Sequence, residues 1–448
     1  MSGRIDFSID FNKPGGAQTR QQAQAYRFYI LGDFSGVSDK PWEQRKMRAI
    51  DNDSFDQVMA DIQPVFQLDS HLQLHFEAME DFHPDAWLDK VKLIADLRVL
   101  KQQLSNPVTA AQAAAKIQAF FPSEQANVEP DAVTESQDDM LERLLGKKTE
   151  KTDDETDTVE RLLKQMVTPF VTKNTEPQYQ HWLDVIDAAI SQCLRAVLRS
   201  PNFQGLEALW RATQMLVNEE FADGHGFYLL DISQAELRME QKNGSSALAG
   251  KLLQHIQKED GEQEVMLIGH FRFSDSSEDT ELLSYCGSLA QQCGGYFLTD
   301  ADQGFIQQTL NAEPAARINF SAERLLLAYP RYLLRLPYGQ KRDPIDAFEF
   351  EECSAIPGAD ELLWGCASMI LARGLIRTSQ EYTTSEVLFF SEIPAFSFEA
   401  EGEPVLQPAT EAVLTEAQAN ELFTLGIMPL ISYRQRRGVS LLGLIPLS

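Results

Sequence analysis

The sequence predicts an α/β protein with mixed, largely helix-covered sheets. Apolar residues make up 43% of the 448 residues, enough for a large buried core. Short apolar runs typical of buried strands alternate along the chain with segments whose apolar residues recur at helical spacing. Such an alternation of strands and helices indicates a mainly parallel sheet that helices cover.

Charge and cysteine content narrow the class of protein. The net charge is -28 with a pI near 4.6, which disfavours nucleic acid and anionic membranes because their phosphates would be repelled. Five cysteines without a C-x-x-C pair indicate reduced thiols. The first residues lack the apolar core of a signal peptide, and the apolar runs are shorter than the roughly 18 residues of a membrane span. We therefore expect a cytoplasmic protein with no nucleic-acid or membrane partner.

The first 25 residues contain one strand pattern. Apolar and polar side chains alternate from Arg4 to Phe11, and a segment rich in Gly and Gln follows. The apolar face consists of Ile5, Phe7, Ile9 and Phe11. An amphipathic strand on a flexible tether must pair with another strand. These four residues are therefore the predicted strand-exchange interface.

Residues 26–120 begin with a compact apolar strand, Tyr26–Leu31. Residues 65–79 alternate and are predicted as a second strand, with Leu72, Leu74 and Phe76 on one face. His71 and His75 would lie together on the other face, where the strand geometry does not favour a metal site. Pro84 then opens a predicted helix that Asn106 ends. Its apolar stripe is Leu88, Val91, Ile94, Leu97, Leu100 and Leu104.

An acidic linker is predicted over residues 121–168. Residues 123–160 hold 13 acidic and four basic side chains, a composition that cannot bury enough surface to fold alone. Within it, residues 139–146 carry an apolar stripe of Met140, Leu141, Leu144 and Leu145, closed by a glycine. Eight residues are too few for a stable free helix. A helix docked on its own domain and a short recognition peptide both remain open.

Residues 169–448 follow regular patterns. Two amphipathic helices, Trp182–Leu198 and Phe203–Val217, form a predicted hairpin, and Trp210 should pack inward. Glu207 and Arg211 lie four positions apart and can pair. Strands near 227–232, 265–269 and 295–299 alternate with helices, the first of which Ser233 opens with a capping box.

Motifs for chemistry are absent from the sequence. No G-x-G-x-x-G, Walker loop, G-x-S-x-G or H-E-x-x-H occurs. The acidic residues at 275, 278 and 279 fit capping of the next helix better than a metal site. Arg331 and Arg335 allow a phosphate clamp or a structural crossover. We expect no catalytic, metal or cofactor site, and no enzyme.

Two stretches contain specific motifs, LGDFSG at 31–36 and RKMRAID at 45–51 in the first and FQGLEALWR at 203–211 in the second. On these motifs the two stretches resemble the sheath subunits of type VI secretion systems. Residues 26–104 are similar to the small subunit (TssB), and Arg4–Phe11 fits its N-terminus. Residues 139–433 are similar to the large subunit (TssC), most specifically in Phe203–Arg211 (FQGLEALWR). The other matching segments are 55–59, 81–84, 267–274, 330–339, 348–352, 363–365 and 421–430.

The resemblance implies a contractile-sheath-like multidomain fold. Residues 1–25 would be an exchange strand and tether, 26–120 a small-subunit-like domain, 121–168 the acidic linker, and 169–448 a C-terminally shortened large-subunit-like domain. It implies a structural component of a bacterial sheath, a fused protomer that assembles by strand exchange. The alternative is a sheath-like accessory, capping or adaptor protein that binds the sheath or baseplate without polymerising.

The resemblance also implies partners. These are other sheath subunits or copies of this chain, and further candidates are the inner tube, the baseplate and a ClpV-type unfoldase. In the large subunit, a short helix near the N-terminus is recognised by that unfoldase. Residues 139–146 resemble it, which makes Met140, Leu141, Leu144 and Leu145 the candidate unfoldase-recognition helix.

Overall fold

The structure of the protein is a computed structural model. It describes residues 25–69, 72–106, 108–120, 179–259, 263–312, 323–379, 387–433 and 436–444, and its strands lie within these ranges. They are β1 (Tyr26–Gly32), β2 (Arg48–Ala49), β3 (Val65–Gln67), β4 (Gln73–His75), β5 (Gly226–Asp231), β6 (Glu264–Phe273), β7 (Tyr296–Ala301), β8 (Leu325–Tyr329), β9 (Tyr332–Leu333), β10 (Trp364–Gly365), β11 (Leu388–Phe390), β12 (Phe396–Ala400), β13 (Glu403–Gln407), β14 (Ile427–Tyr433) and β15 (Arg436–Leu441).

Nine of these strands form the main sheet, in the order β11-β15-β14-β8-β7-β6-β1-β5-β2. The six strands from β14 to β5 run parallel, and β2, β15 and β11 add antiparallel strands at the two ends. The pairs β3–β4, β9–β10 and β12–β13 form separate antiparallel sheets. The predicted mainly parallel, mixed sheet is confirmed.

Helices cover both faces of the main sheet. They are α1 (Phe55–Ile62), α2 (Lys92–Ser105), α3 (Ala110–Phe120), α4 (Tyr179–Leu198), α5 (Pro201–Val217), α6 (Gln234–Lys242), α7 (Ala247–Ile256), α8 (Ser277–Gln292), α9 (Gln303–Asn311), α10 (Ala367–Thr378) and α11 (Glu416–Thr424). Helices α1 to α5 and α10 contribute to the core on one face, and α6 to α9 and α11 to the core on the other. Parallel sheets need such cover because both of their faces are apolar.

Strand β1 lies in the centre of the sheet although it comes first in the described chain. It pairs in parallel with β5 on one side and with β6 on the other. Phe28 and Ile30 enter one core, whereas Tyr29 and Leu31 enter the other, and all four are fully buried. Each such side chain contributes about 1.5–3 kcal/mol on burial. The large-subunit-like strands are therefore completed by a strand from the small-subunit-like segment.

Two predicted elements have different bounds in the structure. Residues 65–79 form the hairpin β3–β4 instead of one strand, because the Oδ1 of Asp69 accepts from the amide of Leu72 (2.8 Å) and turns the chain. The residues on its apolar face are buried as expected, and His75 is exposed on β4, while His71 lies outside the described residues. The helix expected at Pro84 is a short 3-10 turn, and α2 begins at Lys92 because Val91 is extended.

Candidate functional site

Helix α5 joins the two subunit-like parts of the chain through an aromatic cluster. The ring of Phe203 lies 5.4 Å from Phe66, 5.9 Å from Phe82 and 5.2 Å from Trp87, measured between ring centroids and mostly edge to face. Phe203, Phe82 and Trp87 are almost completely buried. Edge-to-face pairs at these distances add about 0.5–1.5 kcal/mol each beyond the area they bury. The segment before residue 121 and α5 therefore share one core.

Trp210 makes the second contact of α5 with the N-terminal part. Its indole Nε1 donates a hydrogen bond to the carbonyl oxygen of Phe34 (3.0 Å), and its ring meets that of Phe34 at 5.1 Å. The prediction that Trp210 packs inward is confirmed, since its side chain is fully buried. Helix and strand approach so closely that a Cβ at Gly32 would lie 2.7 Å from Leu209 Cδ2. The LGDFSG segment thus fits against the FQGLEALWR helix.

Ion pairs lie beside the apolar contact between the N-terminal segment and the rest of the chain. Arg45 donates to both carboxylate oxygens of Glu236 at 2.8 and 3.1 Å, and its Nε lies 3.6 Å from Asp231. Lys101 on α2 donates to both oxygens of Asp187 on α4, at 2.6 and 2.8 Å. The bidentate pair of Arg45 defines orientation as well as attraction, whereas the ammonium of Lys101 acts as a point charge. The polar contacts therefore set the register in which the two parts meet.

A buried carboxylate links α5 to the segment after β9. Glu207 is completely buried and accepts from Arg211 Nε at 2.7 Å and from Arg335 Nε at 2.8 Å. Arg335 also pairs with Glu352 at 2.7 Å, and its guanidinium lies over the ring of Tyr338. Burial alone would raise the pKa of Glu207, but Arg335 and Arg211 outweigh it and hold that pKa below its ordinary value. The predicted pair of Glu207 and Arg211 is confirmed.

A second network of ion pairs, in which Arg373 and Glu219 are buried, connects helix α10 to the end of β11. Arg373 pairs with Glu219 and with Glu392, the residue two positions after β11. Arg377 pairs with the same two carboxylates, at 2.7 and 2.9 Å. Four alternating charges compensate one another, which a buried charge requires. The network holds the last strand of the sheet in place.

Strand β11 is the edge of the main sheet. In the part of the chain that the structure describes, it pairs only with β15, and the backbone groups on its other side have no strand partner. Its side chains are Leu388, Phe389 and Phe390, of which the first two are half-buried. An apolar edge of this kind can accept a further strand.

The residues considered for chemistry have structural partners. Arg331 donates to both oxygens of Glu411 (2.7 and 2.8 Å), and Arg335 pairs as described, which favours the structural crossover over the phosphate clamp. Helix α8 is capped by Ser276, which accepts from the amide of Asp279 (3.2 Å), while the carboxylate of Asp279 accepts from the amide of Ser274 (2.8 Å). Burial lowers the pKa of His270 to about 4. Across the described ranges, no three His, Cys, Asp or Glu side chains are placed to hold a metal ion.

The predicted interface residues lie outside the described part of the chain. This applies to the strand face Ile5, Phe7, Ile9 and Phe11 and to the helix face Met140, Leu141, Leu144 and Leu145.

The sequence did not reveal that Phe34 would meet Trp210 or that Arg335 would reach Glu207. The compact apolar run of β1 and the apolar stripe of α5 were the available signals. None of the helices in the described ranges is long and apolar enough to cross a membrane.

Comparison with known families identifies the class of this protein. The family model described as EvpB/VC_A0108, tail sheath N-terminal domain (VipB) matches residues 180–320 and 317–443. The model described as Type VI secretion system, VipA, VC_A0107 or Hcp2 matches residues 3–122. The chain belongs to the tail-sheath family of type VI secretion systems and joins small-subunit and large-subunit sequences in one polypeptide.

A curated relative agrees with this assignment. The type VI secretion system sheath protein TssC1 of Pseudomonas aeruginosa is 24% identical over 322 residues, which cover 63% of this chain. The match spans 65% of the length of that relative.

Proposed function

We propose that this chain is a fused sheath protomer that assembles with its neighbours by exchange of strands. The observation that supports this most is the position of β1 between β5 and β6. One polypeptide supplies both the central strand and the strands on either side of it. Fusion also removes the entropy cost of bringing two separate subunits together. A single chain can then act as the repeating unit.

Strand exchange needs a donor strand and an acceptor edge. The donor is Arg4–Phe11, whose apolar face of alternate residues fits a half-buried strand. The acceptor is β11, which has an open edge among the described residues and half-buried apolar side chains. The ion pairs of Glu392 keep this edge in place. A donor from one copy on the edge of the next makes a head-to-tail contact that propagates.

The substitution Ile9→Pro tests this function. Proline removes a backbone donor from the middle of the strand and is excluded from paired central strands. Light scattering of the purified protein should show self-association that Ile9→Pro loses, while both proteins keep the same melting curve. Gln18→Pro, in the tether outside the strand, is the matched control and should associate as the wild type does. Equal association of Ile9→Pro and wild type would rule out strand exchange.

The further partners are proposed on the same basis. Other sheath subunits or copies of the chain are the primary partners, and the inner tube, the baseplate and a ClpV-type unfoldase follow from the family. The stripe of Met140, Leu141, Leu144 and Leu145 is the proposed unfoldase contact. Loss of filament growth with retained binding to the ends of a preformed sheath would instead favour the capping role.

A further inference from the structure

A small acidic hairpin stands apart from the main sheet. The acidic hairpin is residues 396–407, the strands β12 and β13 joined by a tight turn at Glu401 and Gly402, both with positive φ. Its base is anchored because Phe396 packs in a cluster with Leu333, Leu362 and Trp364. A two-stranded hairpin is marginal by itself in water. The base of the hairpin is therefore anchored, whereas its tip is exposed and contributes little to the core.

The tip of the acidic hairpin is strongly and uniformly charged. Glu399, Glu401 and Glu403 occupy alternate positions and are all exposed. Residues 396–407 contain no Lys or Arg, and among the described residues none of the three carboxylates forms an ion pair. Val405 beside them is 39% exposed. Three uncompensated carboxylates on one tip form a local field that attracts cations.

Two basic residues lie at the end of the β14–β15 hairpin. They are Arg436 and Arg437, the first two residues of β15, both exposed, and together they are called the basic turn. The guanidinium of Arg436 is held over the ring of Phe389 on β11, 3.4 Å from its centroid. In the described ranges neither arginine lies within ion-pairing distance of a carboxylate. The basic turn therefore presents a pre-oriented positive charge beside the open edge of the sheet.

We propose that the acidic hairpin of one copy docks on the basic turn of the next copy. The net charge of -28 makes two copies repel each other as a whole. Unpaired cations placed against carboxylates offset this repulsion locally, and the chain has both, on separate exposed segments. Opposite patches on one chain make a heterologous contact that repeats from copy to copy. This inference rests on the proposed function, because it adds a second contact to an assembling protomer.

We expect the contact between the acidic hairpin and the basic turn to be weak and sensitive to salt. Exposed ion pairs are individually weak, and their main effects are on the rate and specificity of association. Reversing two charges on one tip replaces attraction with repulsion, and we expect the association constant to fall about tenfold. The contact should also weaken between about 0.1 M and about 1 M salt, where the screening length falls from about 10 Å to about 3 Å.

Charge exchange between the two tips tests the contact. We would measure self-association by sedimentation velocity for Glu401→Lys/Glu403→Lys, for Arg436→Glu/Arg437→Glu, and for the chain that carries all four substitutions. Each double variant should associate about tenfold more weakly, and the four-fold variant should regain most of the loss because the charges are exchanged. Lys46→Glu/Lys258→Glu, at two exposed lysines outside both tips, is the matched control and should associate as the wild type does.

The outcomes separate this contact from strand exchange. If Ile9→Pro abolishes association but the tip variants do not change it, strand exchange stands and the tip contact is wrong. If the tip variants lose association and the four-fold variant regains it while Ile9→Pro has no effect, the tip contact stands and strand exchange is wrong. Failure of the four-fold variant to recover overturns the tip contact. A wild-type chain that stays monomeric at low salt overturns both.

Discussion

The substitution Glu207→Gln tests how firmly the buried carboxylate holds α5 to the segment after β9. Glutamine keeps the size and shape of the side chain and removes only its charge. Glu207 is 0% exposed, and it accepts from Arg211 at 2.7 Å and from Arg335 at 2.8 Å. The substitution therefore changes the compensation of two guanidinium groups while the packing stays nearly the same.

The size of the stability loss depends on which partners Arg211 and Arg335 retain after the substitution. Arg335, with a side chain 10% exposed, keeps Glu352, while Arg211 keeps the hydroxyl of Tyr338 at 3.3 Å. One positive charge, that of Arg211, then has no compensating carboxylate, and its side chain is 25% exposed. Removing one partner of a buried ion pair typically costs about 3–5 kcal/mol. Because water partly solvates Arg211, we expect the free energy of unfolding to fall by the lower end of that range, about 3 kcal/mol.

Urea unfolding of the purified full chain measures this loss. The control is Glu281→Gln, at an exposed position on α8, which should change the free energy of unfolding by no more than about 0.5 kcal/mol. The pKa of Glu207 is below its ordinary value, so its stabilisation is present above about pH 4.3 and disappears as the pH falls through the folded-state pKa. The difference in the free energy of unfolding between wild type and Glu207→Gln should therefore become smaller below about pH 4. A loss of unfolding free energy under about 1 kcal/mol at neutral pH, or a difference that stays constant into acid, would refute this reasoning.

Three further predictions concern the hydrogen bond of Trp210, the protonation of His225 and the predicted helix in the acidic linker. Trp210→Phe should lower the free energy of unfolding in urea by about 1–3 kcal/mol, because the buried carbonyl of Phe34 loses its donor; an unchanged midpoint would contradict the hydrogen bond. Burial lowers the pKa of His225 to about 4, and the unfolded chain therefore takes up its proton first as the pH falls below about 6.5. Between pH 6.5 and 4 the wild type should lose up to about 3 kcal/mol more than His225→Asn, and equal acid profiles in urea melts would exclude this role. Leu141→Asp/Leu144→Asp should abolish binding of a ClpV-type unfoldase N-domain without lowering thermal stability, and a large drop in melting temperature would show a structural helix instead.

The sequence determined the elements whose signal is local. Helices α4 and α5 follow from apolar residues at helical spacing, and the capping box at Ser233 was recognisable because its residues lie within one turn. Trp210 was correctly placed inside for the same reason. Residues 65–79 were predicted as one strand because alternation continues through a turn as well as along a strand. The backbone of Leu72, which bonds to Asp69, decided otherwise.

Only the tertiary structure decided which distant segments meet. The apolar pattern of β1 indicates a strand buried on both faces, but it contains no information on which strands are its neighbours. Parallel neighbours are joined through long crossovers, so β1 pairs with residues nearly 200 positions away, as in the bond from Tyr26 to His225 (199 positions). Arg335 is a compatible partner for many carboxylates of this acidic chain, and packing of α5 selects Glu207. Pairing across such separations depends on the shape of the whole core, because charge and apolar character alone fit many partners.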